Sequence, residues 1–238
     1  MRLITIVGLL GFAASTQTVR GDGLIYQLPP DGSSVRYDIE LIITSNGQEN
    51  TLKGSLTISS VGATTVDGAK CRWIEFKHMY TTNDGLDRIT IAKCLVPEEH
   101  LGRGKSPGEH MVRGWIKRVD GQVHDIKDLG IQPGRVMLDG YLAGSAQNEM
   151  ELDAVEVDGK LGKLMCPAVS GEKEFRRDYG ALRLTFENRL NEKSPFGVVN
   201  AVWKMDRLVN GQVTASETNK LTLAETYTTA LSELPERN

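Results

Sequence analysis

The chain has 238 residues, of which 39% are hydrophobic, and this is enough apolar material for a substantial core rather than a disordered chain. Lysine and arginine total 28 against 31 aspartate and glutamate residues, which gives a formal net charge of -3. Because neutralising phosphates requires many basic side chains, this balance argues against non-specific nucleic-acid binding. The length fits one or two domains.

The N terminus has the composition of an export signal. Arg2 precedes an uncharged apolar run of about twelve residues, which fits a signal-peptide core and is too short to span a bilayer. Ala13 and Ser15 have the small side chains that a signal peptidase requires, although a buried N-terminal strand or helix is an alternative. We predict a signal peptide over residues 1–20 and a single mature domain over residues 21–238. The expected location is periplasmic or secreted, without a transmembrane anchor in the mature chain.

Four strands are predicted in the first hundred residues. In the first of them apolar and polar side chains alternate, which is typical of a half-buried strand, and short turn sequences separate it from the others. The predicted strands cover residues 34–44, 51–60, 70–80 and 87–96. The turns between them are Asn46-Gly47, Asp67-Gly68 and Asn83-Asp84-Gly85. Such short connections predict an antiparallel meander, because parallel pairs need crossovers of about a dozen residues.

A helix is predicted after this meander. Ser106 and Glu109 have the spacing of a capping box, with Pro107 at the first helical position. Apolar residues then recur at helical spacing through Val119, so we predict a helix over residues 106–119 that packs on the sheet. These apolar residues are Met111, Val112, Trp115, Ile116 and Val119.

The second half of the chain again predicts strands. Residues 123–147 indicate a short element and loop, and Asn210-Gly211 is a further hairpin turn. Strands are predicted over residues 150–154, 160–166, 181–190, 196–205, 212–216 and 220–228. We therefore predict a mainly β protein of the α+β class. Its core would be one curved antiparallel sheet or half-barrel of about ten strands with one or two packed helices.

The three cysteines, Cys71, Cys94 and Cys166, allow at most one internal disulfide. Pairing two strands about the turn at residues 83–85 places Cys71 opposite or diagonal to Cys94 on the same face, so these two are the disulfide candidates. Three reduced, buried cysteines are an equal alternative. A bridge between Cys71 and Cys166 is a third.

Five basic residues lie on or near the predicted helix and are candidates for contact with an anionic lipid or polysaccharide surface. They are Arg103, Lys105, Arg113, Lys117 and Arg118. A solvated helix face is the alternative interpretation.

No local motif indicates catalysis, metal binding or a cofactor. Gly104-Lys105-Ser106 resembles the end of a P-loop, but Glu99 occupies the position of the first glycine. The chain has no H-E-x-x-H, C-x-x-C or G-x-S-x-G sequence. We therefore assign no catalytic residues, no metal and no cofactor, and the ligand-binding residues stay unassigned.

The series of strands at residues 54–59, 71–76 and 89–97, followed by a predicted helix, resembles exported bacterial proteins of unknown function. Its order is also similar to the periplasmic lipoprotein-carrier type, an antiparallel half-barrel closed by helices over an apolar cavity. This resemblance implies a concave sheet able to hold a lipid or acyl chain.

The sequence thus leads to three functional hypotheses. The first is an exported, non-enzymatic binding protein that holds a lipid or other apolar ligand, or an envelope component, in a curved sheet. The second is a β-sandwich that serves as a structural or interaction module of the cell envelope, in which both sheet faces would be covered. The third is an enzyme with a dispersed site, which requires a cleft with perturbed pKa values.

Overall fold

The computed structural model describes residues 23–82, 84–129, 138, 140–142, 146–177 and 180–234. The signal peptide predicted over residues 1–20 lies outside this part of the chain. The described residues form eleven strands. They are β1 (Ser34–Ser45), β2 (Gln48–Val66), β3 (Ala69–Thr81), β4 (Asp87–Pro97), β5 (Arg113–Lys117), β6 (Val123–Asp125), β7 (Gln147–Gly159), β8 (Gly162–Arg177), β9 (Gly180–Leu190), β10 (Val198–Val209) and β11 (Gln212–Tyr227).

All eleven strands belong to one antiparallel sheet with the order β6-β5-β4-β3-β2-β1-β11-β10-β9-β8-β7. The chain builds two meanders: β1 to β6 runs from the middle of the sheet to one edge, and β7 to β11 runs from the opposite edge back to the middle. The first and last strands join these meanders, through a ladder that begins at the pair Ser34 and Tyr227. Because the described strands form one sheet, the part of the chain that the structure describes does not form the two-sheet sandwich of the second hypothesis.

Three of the predicted hairpin turns are confirmed, and their backbone explains the residue choice. Asn46 and Gly47 have φ angles of 52° and 74°, and Asn210 and Gly211 have φ angles of 51° and 76°. Two successive residues with positive φ give the turn that matches the twist of the flanking strands, and asparagine and glycine tolerate it best. Asp67-Gly68 forms the third of these turns.

Ring contacts between distant strands indicate that the sheet is curved. The ring of Tyr141 lies 5.6 Å from that of Phe76 on β3 and 5.4 Å from that of Trp203 on β10. β3 and β10 are four strand positions apart, which is roughly 19 Å in a flat sheet. Contact of both rings with one side chain therefore requires the sheet to bend around it.

The main core lies on the concave face. Inward side chains of the strands pack there with two segments that are not strands: the N-terminal residues Leu24 to Tyr26, and the connection between β6 and β7, which supplies Leu138 and Tyr141. β6 and β7 are at opposite edges of the sheet, and Leu138 and Tyr141 lie in the core between these edges. A backbone hydrogen bond of 2.9 Å from the Leu24 N–H to the Tyr141 carbonyl ties the two segments together.

A smaller cluster lies on the outer face of the sheet. Cys71, Trp73, Leu95 and Trp115 are buried there, and the two indole rings stack with their centroids 5.1 Å apart. β3, β4 and β5 therefore have buried side chains on both faces of the sheet.

The helix predicted over residues 106–119 is wrong. Pro107–His110 is a short 3-10 turn, and Arg113–Lys117 is strand β5, which pairs with β4 and β6. The neighbours Trp115 and Ile116 are both buried, one in the outer cluster and one in the concave core. A strand covered on both faces has an apolar run that periodicity alone does not separate from a buried helix.

The expected one or two packed helices are therefore not found in the described residues. Three of their helical segments are 3-10 turns: Glu98–His100, Pro107–His110 and Ile126–Leu129. A fourth is one helical turn, in which the Leu142 N–H donates a 2.9 Å hydrogen bond to the Leu138 carbonyl. None of the helical segments in this part of the chain has the length and apolar character needed to cross a bilayer.

Candidate functional site

Half-buried side chains line one end of the concave face, near the turns at residues 46–47 and 210–211. The register places them together: Leu41 in the core pairs with Leu52, Ile43 pairs with Glu217, and Glu217 pairs with Met205. We call this end the concave mouth and define it by Ile43, Leu52, Tyr80, Met205 and Glu217. Five strands, with three apolar side chains, one aromatic ring and one carboxyl group, thus surround an end of the core that solvent reaches.

Tyr80 reaches across the mouth because β2 has a glycine at the facing position. Gly54 pairs with Tyr80, and a Cβ on Gly54 would lie 2.7 Å from the Tyr80 ring and 2.1 Å from the Met79 carbonyl oxygen. Without that side chain, the Tyr80 hydroxyl donates a 3.1 Å hydrogen bond to Asn219 Oδ1 on β11. Tyr80 therefore links β3 to β11, which lies three strand positions away.

Below Tyr80 lies a buried pair of polar groups. His78 Nδ1 is 3.4 Å from the Tyr141 hydroxyl, and the imidazole packs edge-on against the Tyr80 ring at 4.1 Å between centroids. Burial lowers the pKa of His78 to about 4, so this imidazole is neutral at pH 7. Burial raises the pKa of Tyr80 and of Tyr141 above the usual tyrosine value. The floor of the mouth thus offers hydrogen bonds without a charge.

Carboxylates lie at two places on the concave face. Burial raises the pKa of Glu217, and the charge of Arg207 partly opposes this effect. Burial raises the pKa of Glu149, on β7, to about 7, again against the charge of a nearby arginine, Arg103. Both Glu149 carboxylate oxygens are buried without a hydrogen-bond partner in the described part of the chain.

Glu149 occupies space that a glycine leaves open. A Cβ on Gly171, in β8, would lie 3.0 Å from Glu149 Cγ and 2.9 Å from the Phe186 ring. The carboxyl group is therefore held against an aromatic side chain of the concave core, which explains its desolvation.

The two disulfide candidates do not meet. Cys71 pairs with Pro97 and Cys94 pairs with Ile74, so Cys71 belongs to the outer cluster and Cys94 to the concave core. The same-face prediction is wrong because the register offsets the two cysteines by three residues, and an odd offset changes the face. Cys71, Cys94 and Cys166 are all free and buried, which is the alternative of three reduced thiols.

The five basic candidates do not share a helix face, because the helix is absent. Arg113 and Lys117 are exposed on the outer face of β5, on either side of Trp115. Arg103 and Lys105 lie in the loop before β5, where Arg103 forms an ion pair with Glu151 on β7, and Arg118 follows β5. Contact of these residues with an anionic surface stays a prediction.

Metal binding has no support in the described residues, since no three histidine, cysteine or carboxylate side chains there are placed to hold one ion. His100 and His110 do stack, with centroids 3.5 Å apart, but they are two potential ligands where zinc needs three or four.

Sequence reasoning missed the residues of the mouth. His78 and Tyr80 follow Ile74 and Phe76 at a spacing of two, so they are polar groups on a core-facing series of β3. That signal was present in the sequence. Asn219 and Glu217 were not predicted to face the core, because β11 was predicted as two strands with a break between them.

Comparisons with known proteins give similarities of structure. No protein-family model matches the sequence, and no curated protein matches it. Among solved structures, an outer membrane lipoprotein-sorting protein domain from Vibrio parahaemolyticus is similar at 10% identity and a TM-score of 0.33, over 85% of this chain and 88% of that one. An exported protein with a YmcC-like fold from Bacteroides fragilis is similar at 7% identity and a TM-score of 0.37, over 85% and 98% of the two chains.

A DUF1329 family protein from Desulfovibrio piger is also similar, at 11% identity and a TM-score of 0.33, over 85% of this chain and 88% of that one. The descriptions of these structures include exported and lipoprotein-sorting proteins, the types that the strand order resembles, but TM-scores below 0.5 assign this chain to neither type. Identities this low say nothing of a shared activity.

Proposed function

We propose that this chain is an exported, non-enzymatic binding protein that holds a lipid or another apolar ligand at the concave mouth. The observation that carries this proposal is the convergence of Ile43, Leu52 and Met205 around hydrogen-bonding groups that are neutral at pH 7. Most small-molecule sites have this composition: apolar walls with a few polar groups that orient the ligand.

The floor of the mouth favours a ligand with an uncharged polar group on an apolar body. A neutral imidazole and two tyrosine hydroxyls can hydrogen-bond an ester, amide or hydroxyl group, whereas an ionised group there would lose its hydration without an opposite charge to compensate. An acyl chain with such a group near one end fits this description.

Fluorescence titration with dansylated undecanoic acid methyl ester tests the proposal on the full chain. We expect saturable binding, and we expect Ile43→Asp to weaken it by about tenfold or more because it puts a charge into the apolar wall. The matched control is Val202→Asp on β10, because Val202 is 45% exposed and its neighbours Ala201 and Trp203 face the core.

Equal binding by the wild type and Ile43→Asp would place any ligand elsewhere and contradict the proposal. A wild-type chain that binds neither this probe nor any species recoverable by organic extraction from the purified protein would contradict it as well, and would favour the interaction module.

We also propose export, with residues 1–20 as the cleaved signal. N-terminal sequencing of the protein recovered from the culture medium and periplasm tests this directly. A full-length chain in the cytoplasmic fraction would contradict it.

A further inference from the structure

The last described residues of the chain lie on the outer face of β3 and β4, where they add no strand to the sheet. We call residues 230–234 the C-terminal strap. It begins with a 2.8 Å hydrogen bond from the Ala230 N–H to the Gly32 carbonyl and ends at Leu234. Apart from this first bond, side chains of the sheet hold its backbone.

A buried carboxylate binds the strap's amides. Glu75 on β3 is 4% exposed and accepts hydrogen bonds from the Glu233 N–H at 3.0 Å and from the Leu234 N–H at 3.2 Å. It also accepts one from the Ser232 hydroxyl at 2.7 Å. Three donors from three successive residues thus converge on a single carboxylate.

A buried ammonium binds the strap's carbonyl. Lys93 on β4 pairs directly with Glu75 in the register and is 2% exposed. Its Nζ donates a 3.1 Å hydrogen bond to the Leu234 carbonyl and lies 5.0 Å from the centroid of the Trp73 ring. The cross-strand pair therefore offers an acceptor and a donor side by side, as the backbone of an extended peptide requires.

The sheet also contacts two side chains of the strap, those of Glu233 and Leu234. Lys77 Nζ is 2.8 Å and 3.0 Å from the two carboxylate oxygens of Glu233. The Leu234 side chain is buried, whereas the Leu231 side chain, three residues earlier, is 86% exposed. The surface thus contacts a hydroxyl residue, an acidic residue and an apolar residue in succession.

We propose that the outer face of β3 and β4 is a peptide-binding site whose resident ligand is the C-terminal strap and whose external ligands are extended segments with this hydroxyl, acidic, apolar order. The site lies on the opposite face from the concave mouth and is independent of the ligand proposed there. A tethered segment has an effective concentration of about millimolar, so the strap excludes weaker peptides until it is released.

Exchange of the strap is compatible with the charges beneath it. When the strap leaves, water reaches Glu75 and Lys93, and the two side chains stand on paired positions of neighbouring strands, where opposite charges attract each other. Neither charge is then left buried and unpaired, which is the costly case for a vacated ionic site.

The test uses the full chain with Leu234→Asp, which places a second carboxylate beside Glu75 and loosens the strap. The probe is a fluorescein-labelled peptide with the sequence of residues 228–238. We expect fluorescence anisotropy to show binding to this variant at least about tenfold tighter than to the wild type, whose site is occupied. A control peptide in which lysine replaces the residue equivalent to Glu233, and aspartate the residue equivalent to Leu234, should not bind.

The assignment of the site is tested in the Leu234→Asp background. Adding Glu75→Gln or Lys77→Ala should weaken peptide binding by about tenfold, because each removes a charge-assisted contact. The matched control is Lys163→Ala on β8, since Lys163 also forms an ion pair, with Glu156, away from the strap.

Failure of Leu234→Asp to bind the peptide would overturn the proposal, as would binding that Glu75→Gln and Lys77→Ala leave unchanged. If Leu234→Asp does not fold, as circular dichroism would show, Glu233→Lys replaces it, because that substitution breaks the exposed contact with Lys77 and leaves Leu234 in place.

Discussion

Glu149 is held where its charge is disfavoured, because its carboxyl group packs against Phe186 in the gap left by Gly171. Its pKa in the folded protein is raised from 4.5 to about 7. Between these values the folded state binds a proton that the unfolded state releases, so this group lowers stability as the pH rises. Its full contribution is present below about pH 4.5 and is lost as the pH passes 7.

We expect Glu149→Gln to raise the free energy of unfolding at pH 8 and to change it little at pH 5. Since the side chain is partly exposed, solvent screening reduces the effect to about 1 kcal/mol. Urea denaturation of both proteins at the two pH values measures it. Glu156→Gln, at an exposed position of the same strand, is the control, and equal destabilisation by Glu149→Gln at both pH values would contradict the prediction.

The dependence of stability on pH that His78 contributes has the opposite sign to that of Glu149. Because burial lowers its pKa from 6.5 to about 4, it contributes stability that is present above pH 6.5 and is lost as the pH falls through 4. The direct consequence is that its imidazole stays neutral at pH 6. Long-range nitrogen–proton NMR of the histidine rings should show one ring with neutral chemical shifts down to about pH 5. A His78 titration midpoint above pH 6 would contradict this prediction.

At the residue scale, the polar groups of the site were the hardest to predict. Tyr80 reaches Asn219 only because Gly54 removes a side chain from the strand between them, and this depends on register rather than on local sequence. Likewise, the burial of Glu149 follows from its position across from Gly171. Neither relation is visible without the strand pairing.

Strand β5 shows how an element can be misassigned while its apolar residues are correctly identified. Trp115 and Ile116 are both buried, as the helix required, but on opposite faces of the sheet. Gly114 lies in β5, between β4 and β6, and faces the concave side. A Cβ at this position would lie 2.5 Å from Ile126 Cδ1 and 3.2 Å from the Lys93 carbonyl oxygen. This close approach explains a glycine in the middle of an apolar run.

Replacement of Gly114 by alanine separates the two interpretations by the sign of its effect. In a helix, alanine would stabilise the protein by about 1 kcal/mol relative to glycine. In strand β5 we expect destabilisation by about 1–3 kcal/mol, because the added methyl group overpacks the site. Thermal unfolding of Gly114→Ala measures the sign.

The control for this experiment is Gly159→Ala, at a strand end where a Cβ would meet no atom within 4 Å. Stabilisation by Gly114→Ala would mean that β5 is not a strand. A loss that Gly159→Ala reproduces would show only a general cost of replacing glycine in the sheet.

The elements that the sequence predicted best are those with one face toward the core and a short turn at each end. β1 alternates cleanly and ends at Asn46-Gly47, so both its period and its boundary could be predicted. β11 was divided in two because Glu217 and Asn219 interrupt its apolar series, although both face the concave side. Polar residues that a binding site requires therefore weaken the pattern that reveals the strand.

At the scale of the whole molecule, two contiguous meanders meet along the β1 and β11 ladder. Twelve residue pairs join these strands, from Ser34 and Tyr227 to Ser45 and Ala215. The connection between β6 and β7 is the only covalent link between the two meanders, since each is otherwise a continuous stretch of sequence.

We predict that the chain can be supplied as two pieces, residues 23–133 and 134–238, that assemble when co-expressed. Affinity purification through a tag on one piece should recover the other. Leu221→Asp should abolish recovery, because Leu221 is 2% exposed in the concave core beside β1, whereas Thr222→Asp on the opposite face should not. Assembly that Leu221→Asp leaves intact would contradict this role for the central ladder.

The central position of β11 also sets a time order for folding. β11 follows the other described strands in sequence but is a middle strand of the sheet, so a growing chain on the ribosome presents the edge of β1 without its partner until residues 212–227 have been synthesised. Unpaired edges are where chains adhere to one another, and contacts this distant in sequence form slowly. A chain that lacks β11 would therefore carry the open edge of β1 permanently, with no later strand to cover it.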